Sequence, residues 1–182
     1  MSDTTTVAVL VGSLRKDSIN AELAQLAASV APESTTVSVI EGLHELPFYS
    51  EELDIEPGDS QVKSVRAQLD AADAVLIVTP EYNGTIPATI KNIIDWASRP
   101  YGAGALKDKP AAVIGAALGQ YGGKWSQDDA RRSLGVAGSR VVEGIEFGLP
   151  ISSLDGRPVA EVPEVVDSVR GVVADLVAAT KQ

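Results

Sequence analysis

The stretch Ala74-Val75-Leu76-Ile77-Val78-Thr79-Pro80-Glu81-Tyr82-Asn83-Gly84-Thr85-Ile86-Pro87 decides the fold class. Its apolar opening, 74–78, reads as a parallel strand buried on both faces. Residues 88–96 follow with apolar side chains at 90, 93, 94 and 97, the spacing of a helix. Pro87 suits the first helical position, where its missing N–H costs nothing. A rigid, polar, aromatic-bearing turn thus lies at the carboxyl end of a central strand. In open α/β sheets ligands bind at that edge.

A second turn of this kind stands near the front. Val7-Ala8-Val9-Leu10-Val11 is another buried run, followed by Gly12-Ser13-Leu14-Arg15-Lys16-Asp17-Ser18-Ile19-Asn20. A helix over 18–30 then buries Ile19, Leu23, Leu26, Ala27 and Val30 on one face. The loop offers the Ser13 and Ser18 hydroxyls, the Asn20 amide and the cations Arg15 and Lys16. Together with the positive end of the helix they make a phosphate seat. There is no G-x-x-x-x-G-K-[ST] and no G-x-G-x-x-G, so neither a triphosphatase P-loop nor a dinucleotide platform is present. A hydroxyl-rich loop better suits a terminal phosphate monoester. The competing reading is an ordinary turn capped by Asp17 or Ser18.

Further strands are expected at 36–40, 111–117 and 140–147, the last interrupted by Gly144. Helices are expected around 62–72, 87–97, 127–134 and 162–177. In the last of these the 3-4-3 spacing of valines outweighs their β propensity. The product is one α/β domain spanning 1–182, with 1–5 flexible. It has three layers around a five-stranded parallel sheet in the order 2-1-3-4-5. Right-handed crossovers put the turns after strands one, three and four on one edge. A flat ring between the second and third turns, its tail phosphate in the first, matches the layout of flavin mononucleotide. The acidic segment 41–59, centred on Leu46-Pro47-Phe48-Tyr49 and closed by a Pro57-Gly58 turn signal, is too irregular for a regular element. Phe48 or Tyr49 is expected to pack near the cleft or a partner chain.

Composition removes several function classes. In 182 residues there are 15 Lys and Arg against 25 Asp and Glu, a net charge of −10, which disfavours nucleic acid and anionic membranes as partners. Cysteine is absent, excluding disulfides, thiolate catalysis and Cys-held metals. The single histidine, His44, cannot build a multi-histidine metal site and reads as solvated. No apolar run approaches the roughly 20 residues of a membrane span, and no signal-peptide pattern opens the sequence. A cytoplasmic protein is expected.

Taken together the turns resemble the NADPH-dependent FMN reductase family, which includes bacterial quinone, chromate and azo-dye reductases with the flavodoxin-like fold. The matching residues are Gly12-Ser13-Leu14-Arg15-Lys16 with Ser18 and Asn20, Thr79-Pro80-Glu81-Tyr82-Asn83, Pro87, and Lys91-Asn92-Ile93-Ile94-Asp95-Trp96 with Ser98-Arg99. Leu46-Pro47-Phe48-Tyr49 matches more weakly, where the family often has an apolar loop near the active site. The resemblance runs from about residue 7 to about residue 135.

It implies FMN as cofactor. The phosphate falls to Ser13, Arg15, Ser18 and Asn20, with Leu14 and Ile19 of the same loop. The ring edge falls to Pro80, Glu81, Tyr82, Asn83 and Gly84, with Ala116 and Gly119 beyond. Tyr82 covers part of the ring, and Glu81 contributes only its backbone. It further implies NADPH or NADH as co-substrate, alternating over the ring with a quinone or similar small acceptor. No catalytic side chain and no metal are required. The cleft is completed in a homodimer or homotetramer, with the loop aromatics, Trp96 and the Trp125 region at the junction. Two departures stand out. Ala116 or Ala117 replaces a frequent serine, and Trp125 replaces a frequent basic residue. A flavodoxin-type electron carrier and a flavin-binding protein without turnover share the fold and remain the alternatives.

Overall fold

A computed structural model describes residues 4–55 and 58–182. Six strands and five α-helices alternate along it: β1 Thr5–Val11, α1 Ile19–Ser29, β2 Thr35–Val39, α2 Ser60–Ala71, β3 Ala74–Val78, α3 Ala88–Ala97, β4 Pro110–Ala117, α4 Lys124–Val136, β5 Arg140–Val141, β6 Phe147–Pro150 and α5 Pro163–Ala179. All strand pairings are parallel, in the order β2-β1-β3-β4-β5, with β6 also beside β4. The fold is the expected flavodoxin-like α/β arrangement.

Each inner strand feeds two cores, which explains why its sequence shows no polar alternation. Val7, Val9, Ala74, Leu76 and Val78 face one side, where α1 and α5 supply Leu23, Ala27, Val169, Val173 and Leu176. Ala8, Leu10, Val75 and Ile77 face the other, against Val65, Leu69, Ile90, Ile93, Trp96 and Leu134 of α2, α3 and α4. The valine-rich α5 is a helix because only that spacing brings its buried residues onto the sheet together.

The structure corrects several expectations. Thr5 is not part of a flexible tail. It opens β1, pairs with Thr35 and donates its N–H to Ser34 O at 2.9 Å. The expectation for Met1–Asp3 lies outside the described residues, as does Pro57. The fifth strand is not continuous over 140–147. It is two short strands separated by Gly144, whose φ is +85°. Where the edge of β4 loses its neighbour, Arg131 reaches in and donates from Nη2 to Val113 O at 3.0 Å and Ile145 O at 3.2 Å. The guanidinium thus supplies donors that the missing strand backbone does not. Pro87 stands one residue earlier than expected, as the N-cap of α3 in extended conformation. Among its described residues the 41–59 segment holds one short 3-10 turn, Leu43–Glu45.

The parallel register fixes the functional edge. Val11 pairs with Val78, and Val78 with Ile114, so β1 and β3 end at one level, beyond which β4 runs three residues further beside β6. Gly12 N donates to Val78 O at 2.9 Å, carrying the ladder one residue beyond β1. A Cβ on Gly12 would come within 2.8 Å of Ile90 Cγ1 and 3.1 Å of Pro80 Cδ. Only glycine lets the first loop lie this close to the third-strand turn.

Candidate active site

A cavity of about 260 Å³ opens where the turns after β1, β3 and β4 meet. It is lined by Ser13, Arg15 and Asn20 from the first turn, Pro80, Glu81 and Tyr82 from the second, and Ala116, Ala117, Leu118 and Gly119 from the third, with Ile151 beyond β6. Three stretches far apart in sequence therefore converge at the reversal of strand order, where α/β sheets hold ligands. A larger cavity, about 540 Å³, lies among Lys91, Asp95, Arg99, Lys107 and Arg132, and none of the three turns lines it. Its Lys91 and Arg132 are already paired, with Asp95 and Asp129 at 2.6 Å each. The chemistry favours the smaller cavity.

Two donors of the first turn, Ser13 and Arg15, line the cavity, and Ser18 lies outside its lining. Ser13 is half-buried and Arg15 is exposed. Ser18 is the N-cap of α1, only 2% exposed, yet its side chain makes no capping bond, so the hydroxyl is not consumed by the helix. Asn20 behaves differently. Its Nδ2 donates to Ala116 O at 3.0 Å, and its Oδ1 accepts from Ala116 N at 2.9 Å. The amide expected on the phosphate instead ties the first turn to the end of β4. Leu14 is exposed and Ile19 half-buried, and neither lines the cavity.

The second turn is a tight hairpin. Tyr82 and Thr85 exchange backbone bonds at 3.1 and 3.2 Å across Asn83 and Gly84, whose φ angles are +53° and +75°. Positive φ at both central residues is the type I′ geometry for which Asn-Gly is the preferred pair. The dipeptide thus has a conformational reason for its identity. Asn83 and Gly84 sit exposed at the tip, while Pro80, Glu81 and the half-exposed Tyr82 reach the cavity. Glu81 departs from the expectation that only its backbone matters. Its Oε2 accepts from Trp125 N at 3.0 Å and Ser126 N at 3.2 Å.

The α3 residues serve a second loop. Asn92 Nδ2 and Trp96 Nε1 donate to Pro47 O at 3.0 and 2.8 Å, and Tyr49 N donates to Asn92 Oδ1 at 2.9 Å. Tyr49 packs edge-on to Trp96 at 5.0 Å, and Arg99 Nε donates to Tyr49 Oη at 3.2 Å. Trp96 is therefore a core residue, 1% exposed, and not part of an open junction as expected. Phe48, by contrast, is 79% exposed. Trp125 and Tyr121 are exposed beside the turn, their rings 6.1 Å apart. His44 is exposed, 3.8 Å from Glu45. Among the described residues no group of His, Cys, Asp and Glu is arranged to hold a metal, and no helix is long and apolar enough to cross a membrane.

Leu118 and Ile151 are lining residues that the sequence did not reveal. Ile151 follows β6, a strand whose position was not legible. The carboxylate role of Glu81 needed the register between the second turn and α4.

Comparisons with known proteins agree with this geometry. The family model for NADPH-dependent FMN reductase matches residues 5–153. A quinone reductase from Pseudomonas putida is 42% identical over 134 residues, 74% of this chain and 72% of its own length. A quinone reductase from Escherichia coli K12 is 35% identical over 148 residues, 81% of this chain and 78% of its own. Among solved structures, the flavoenzyme NAD(P)H:(acceptor) oxidoreductase from Paracoccus denitrificans superposes with a TM-score of 0.85 at 33% identity, covering 97% of both chains.

Proposed function

The chain belongs to the NADPH-dependent FMN reductase family, and from that premise we propose that it is a one-domain NAD(P)H-dependent FMN oxidoreductase that passes electrons to quinones. The observation that carries this reading is the cavity shared by the three turns, lined by Ser13 and Arg15 of the first, Pro80, Glu81 and Tyr82 of the second, and Ala116, Ala117 and Gly119 of the third. FMN, when bound, supplies the hydride and electron chemistry, so no acid–base residue is demanded of the protein.

The residues divide the work. Ser13, Arg15 and Ser18 face the phosphate, with the N–H groups at the start of α1 adding positive potential. The Glu81 N–H and C=O are offered to the ring edge, the Pro80 carbonyl being held by Thr79 and Ser126 and the Tyr82 backbone by Thr85, and Tyr82 lies over its border. The Asn83 amide sits at the hairpin tip, within reach of a polar ring edge rather than of the cavity floor. Ala116, Ala117 and Gly119 present no bulk, which leaves one face open for NADPH or NADH and then for the acceptor. Because Ala116 spends its backbone groups on Asn20, this wall is rigid. Chromate, azo compounds, nitro compounds and free flavin are further acceptors of the right electron demand. The exposed Leu14, Tyr82, Leu118, Tyr121 and Trp125 around the mouth support a cleft completed by a second copy, in a homodimer or homotetramer. The proposed setting is cytoplasmic, with no nucleic-acid or membrane partner.

Anaerobic mixing of the FMN-loaded protein with NADPH and with NADH tests the reading. Bleaching of the flavin absorbance, followed by reoxidation with a benzoquinone, is the expected result. A flavin complex that neither nucleotide reduces would instead favour an electron carrier or a non-catalytic flavin protein. Chromate and azo dyes in place of the quinone then define the acceptor range.

A further inference from the structure

We propose that Glu81 is a positioning residue whose carboxylate pins the 79–85 turn onto the N-terminus of α4 and thereby fixes the backbone that meets the ring edge. The proposal rests on the FMN reading of the cavity. Helix α4 begins at Lys124 after Gly123, which has no side chain to cap it. Its first N–H groups would be unpaired without help from elsewhere. Glu81, 44 residues earlier, supplies that help by accepting from Trp125 N at 3.0 Å and from Ser126 N at 3.2 Å. A carboxylate at this end of a helix is also favoured by the helix dipole.

Two further links fix the same turn. Ser126 Oγ donates to Pro80 O at 2.8 Å, and Thr79 Oγ1 donates to that oxygen at 2.9 Å. The two hydroxyls also lie 3.1 Å from each other, and together they restrain rotation of the Pro80–Glu81 peptide plane. A trans peptide then holds the Glu81 N–H on the opposite side, away from α4. One helical turn on, Asp129 Oδ2 accepts from Thr85 Oγ1 at 2.6 Å. The hairpin is therefore attached to α4 on both sides of Asn83-Gly84. Ser126 is fully buried, so water competes poorly for its bond to Pro80 O, while the Trp125 N–Glu81 and Thr85–Asp129 bonds lie at the surface.

The test compares the holo- and apo-forms of Glu81→Leu, Glu81→Ala and Glu81→Gln. Glu81→Leu should release FMN about tenfold more readily, the loss of a charge-assisted pair of bonds. Its bound-FMN visible spectrum should shift, and the Trp125 and Ser126 amides should exchange hydrogen faster in the apo-protein. Glu81→Gln keeps one acceptor oxygen and should return affinity to within about threefold of the parent, with the parental spectrum. If Glu81→Leu does not fold, Glu81→Ala, which removes the same two bonds with less bulk, carries the test with the same spectral shift expected. Parental FMN affinity and spectrum in Glu81→Leu, or in Glu81→Ala where it alone folds, would overturn the proposal. A parent protein that binds no FMN would instead overturn the cofactor reading, while amide exchange at 125 and 126 would still report whether the pin exists.

Discussion

Asn20 and Ala116 clasp each other across 96 residues of sequence, the side-chain amide of one giving and taking a hydrogen bond with the backbone of the other. Asn20 is 4% exposed and Ala116 1%. The pair joins the first residues of α1 to the end of β4, so the phosphate-side turn and the inner wall of the cavity hold a fixed separation. Asn20→Ala leaves a buried N–H and a buried C=O unmet, at about 1–3 kcal/mol for each group. Urea unfolding should show a loss of about 2–6 kcal/mol, with FMN affinity falling in parallel. Unchanged stability with weakened FMN binding would instead put the amide on the phosphate.

Arg15 is exposed at the same turn, and its replacement should act on the ligand and not on the fold. The parent should prefer FMN to riboflavin, because only FMN carries the terminal phosphate. In Arg15→Ala that preference should narrow by about 1–3 kcal/mol, the size of a charge-assisted contact. Fluorescence titration with both flavins measures it, and equal affinities in the parent would remove the phosphate-seat reading.

Much of the fold was legible because buried parallel strands cannot hide. Val7–Val11, Ala74–Val78 and Ala111–Ala117 are unbroken apolar runs, and each is followed by turn residues that break the pattern. Their order then dictates the sheet and brings the three turns together. The fifth strand was misread because its pairing depends on Arg131, a side chain on another element, replacing strand neighbours. Trp96 was placed at an open junction for a related reason. Sequence spacing puts it on α3 but does not show that Pro47 and Tyr49 cover it. The motif residues Asn92, Trp96 and Arg99 resemble those of the reductase family, yet here they grip the 47–49 loop, which no local pattern encodes.

Asn83 has two separable roles. Its φ of +53° makes it a hairpin former, and its amide is proposed to face the ring. Asn83→Leu should harm both, combining strain at positive φ with an unmet polar contact of about 1–3 kcal/mol. Asn83→Gly keeps the turn geometry and removes only the amide. If the amide binds the ring, both variants should weaken FMN or shift its absorbance. Normal FMN binding in Asn83→Gly, with a defect only in Asn83→Leu, would make the residue purely conformational.

The exposed Tyr121–Trp125 pair and the neighbouring Leu118 form an apolar rim that a monomer would leave wet. Sedimentation at micromolar concentration should give an even-numbered assembly. Trp125→Glu should shift it toward smaller species while leaving the fold intact, since the side chain is 57% exposed. A parent that sediments as a fully active monomer would refute an assembly-completed cleft.

Asp54 sets the expected acid response of the 50s loop. Arg66 donates to it from Nη1 at 2.6 Å and Nη2 at 2.9 Å, while Arg66 Nε donates to Trp96 O at 2.9 Å. The Arg66 hydrogen bonds, and then the charges of Arg66 and Arg99, hold the Asp54 carboxyl below its usual range despite partial burial. A carboxylate whose folded pKa is depressed favours the folded state above its unfolded value. That contribution fades as pH falls through the folded value. Asp54→Asn should therefore cost about 1–2 kcal/mol at neutral pH, the pair being partly solvated. The difference between variant and parent should start to shrink below the ordinary aspartate pKa, about 3.9, and approach zero only below the depressed folded value. Urea midpoints measured from neutral pH into the acid range decide the matter. A gap that stays constant down to the lowest pH would mean that the carboxylate charge contributes nothing to the loop's attachment.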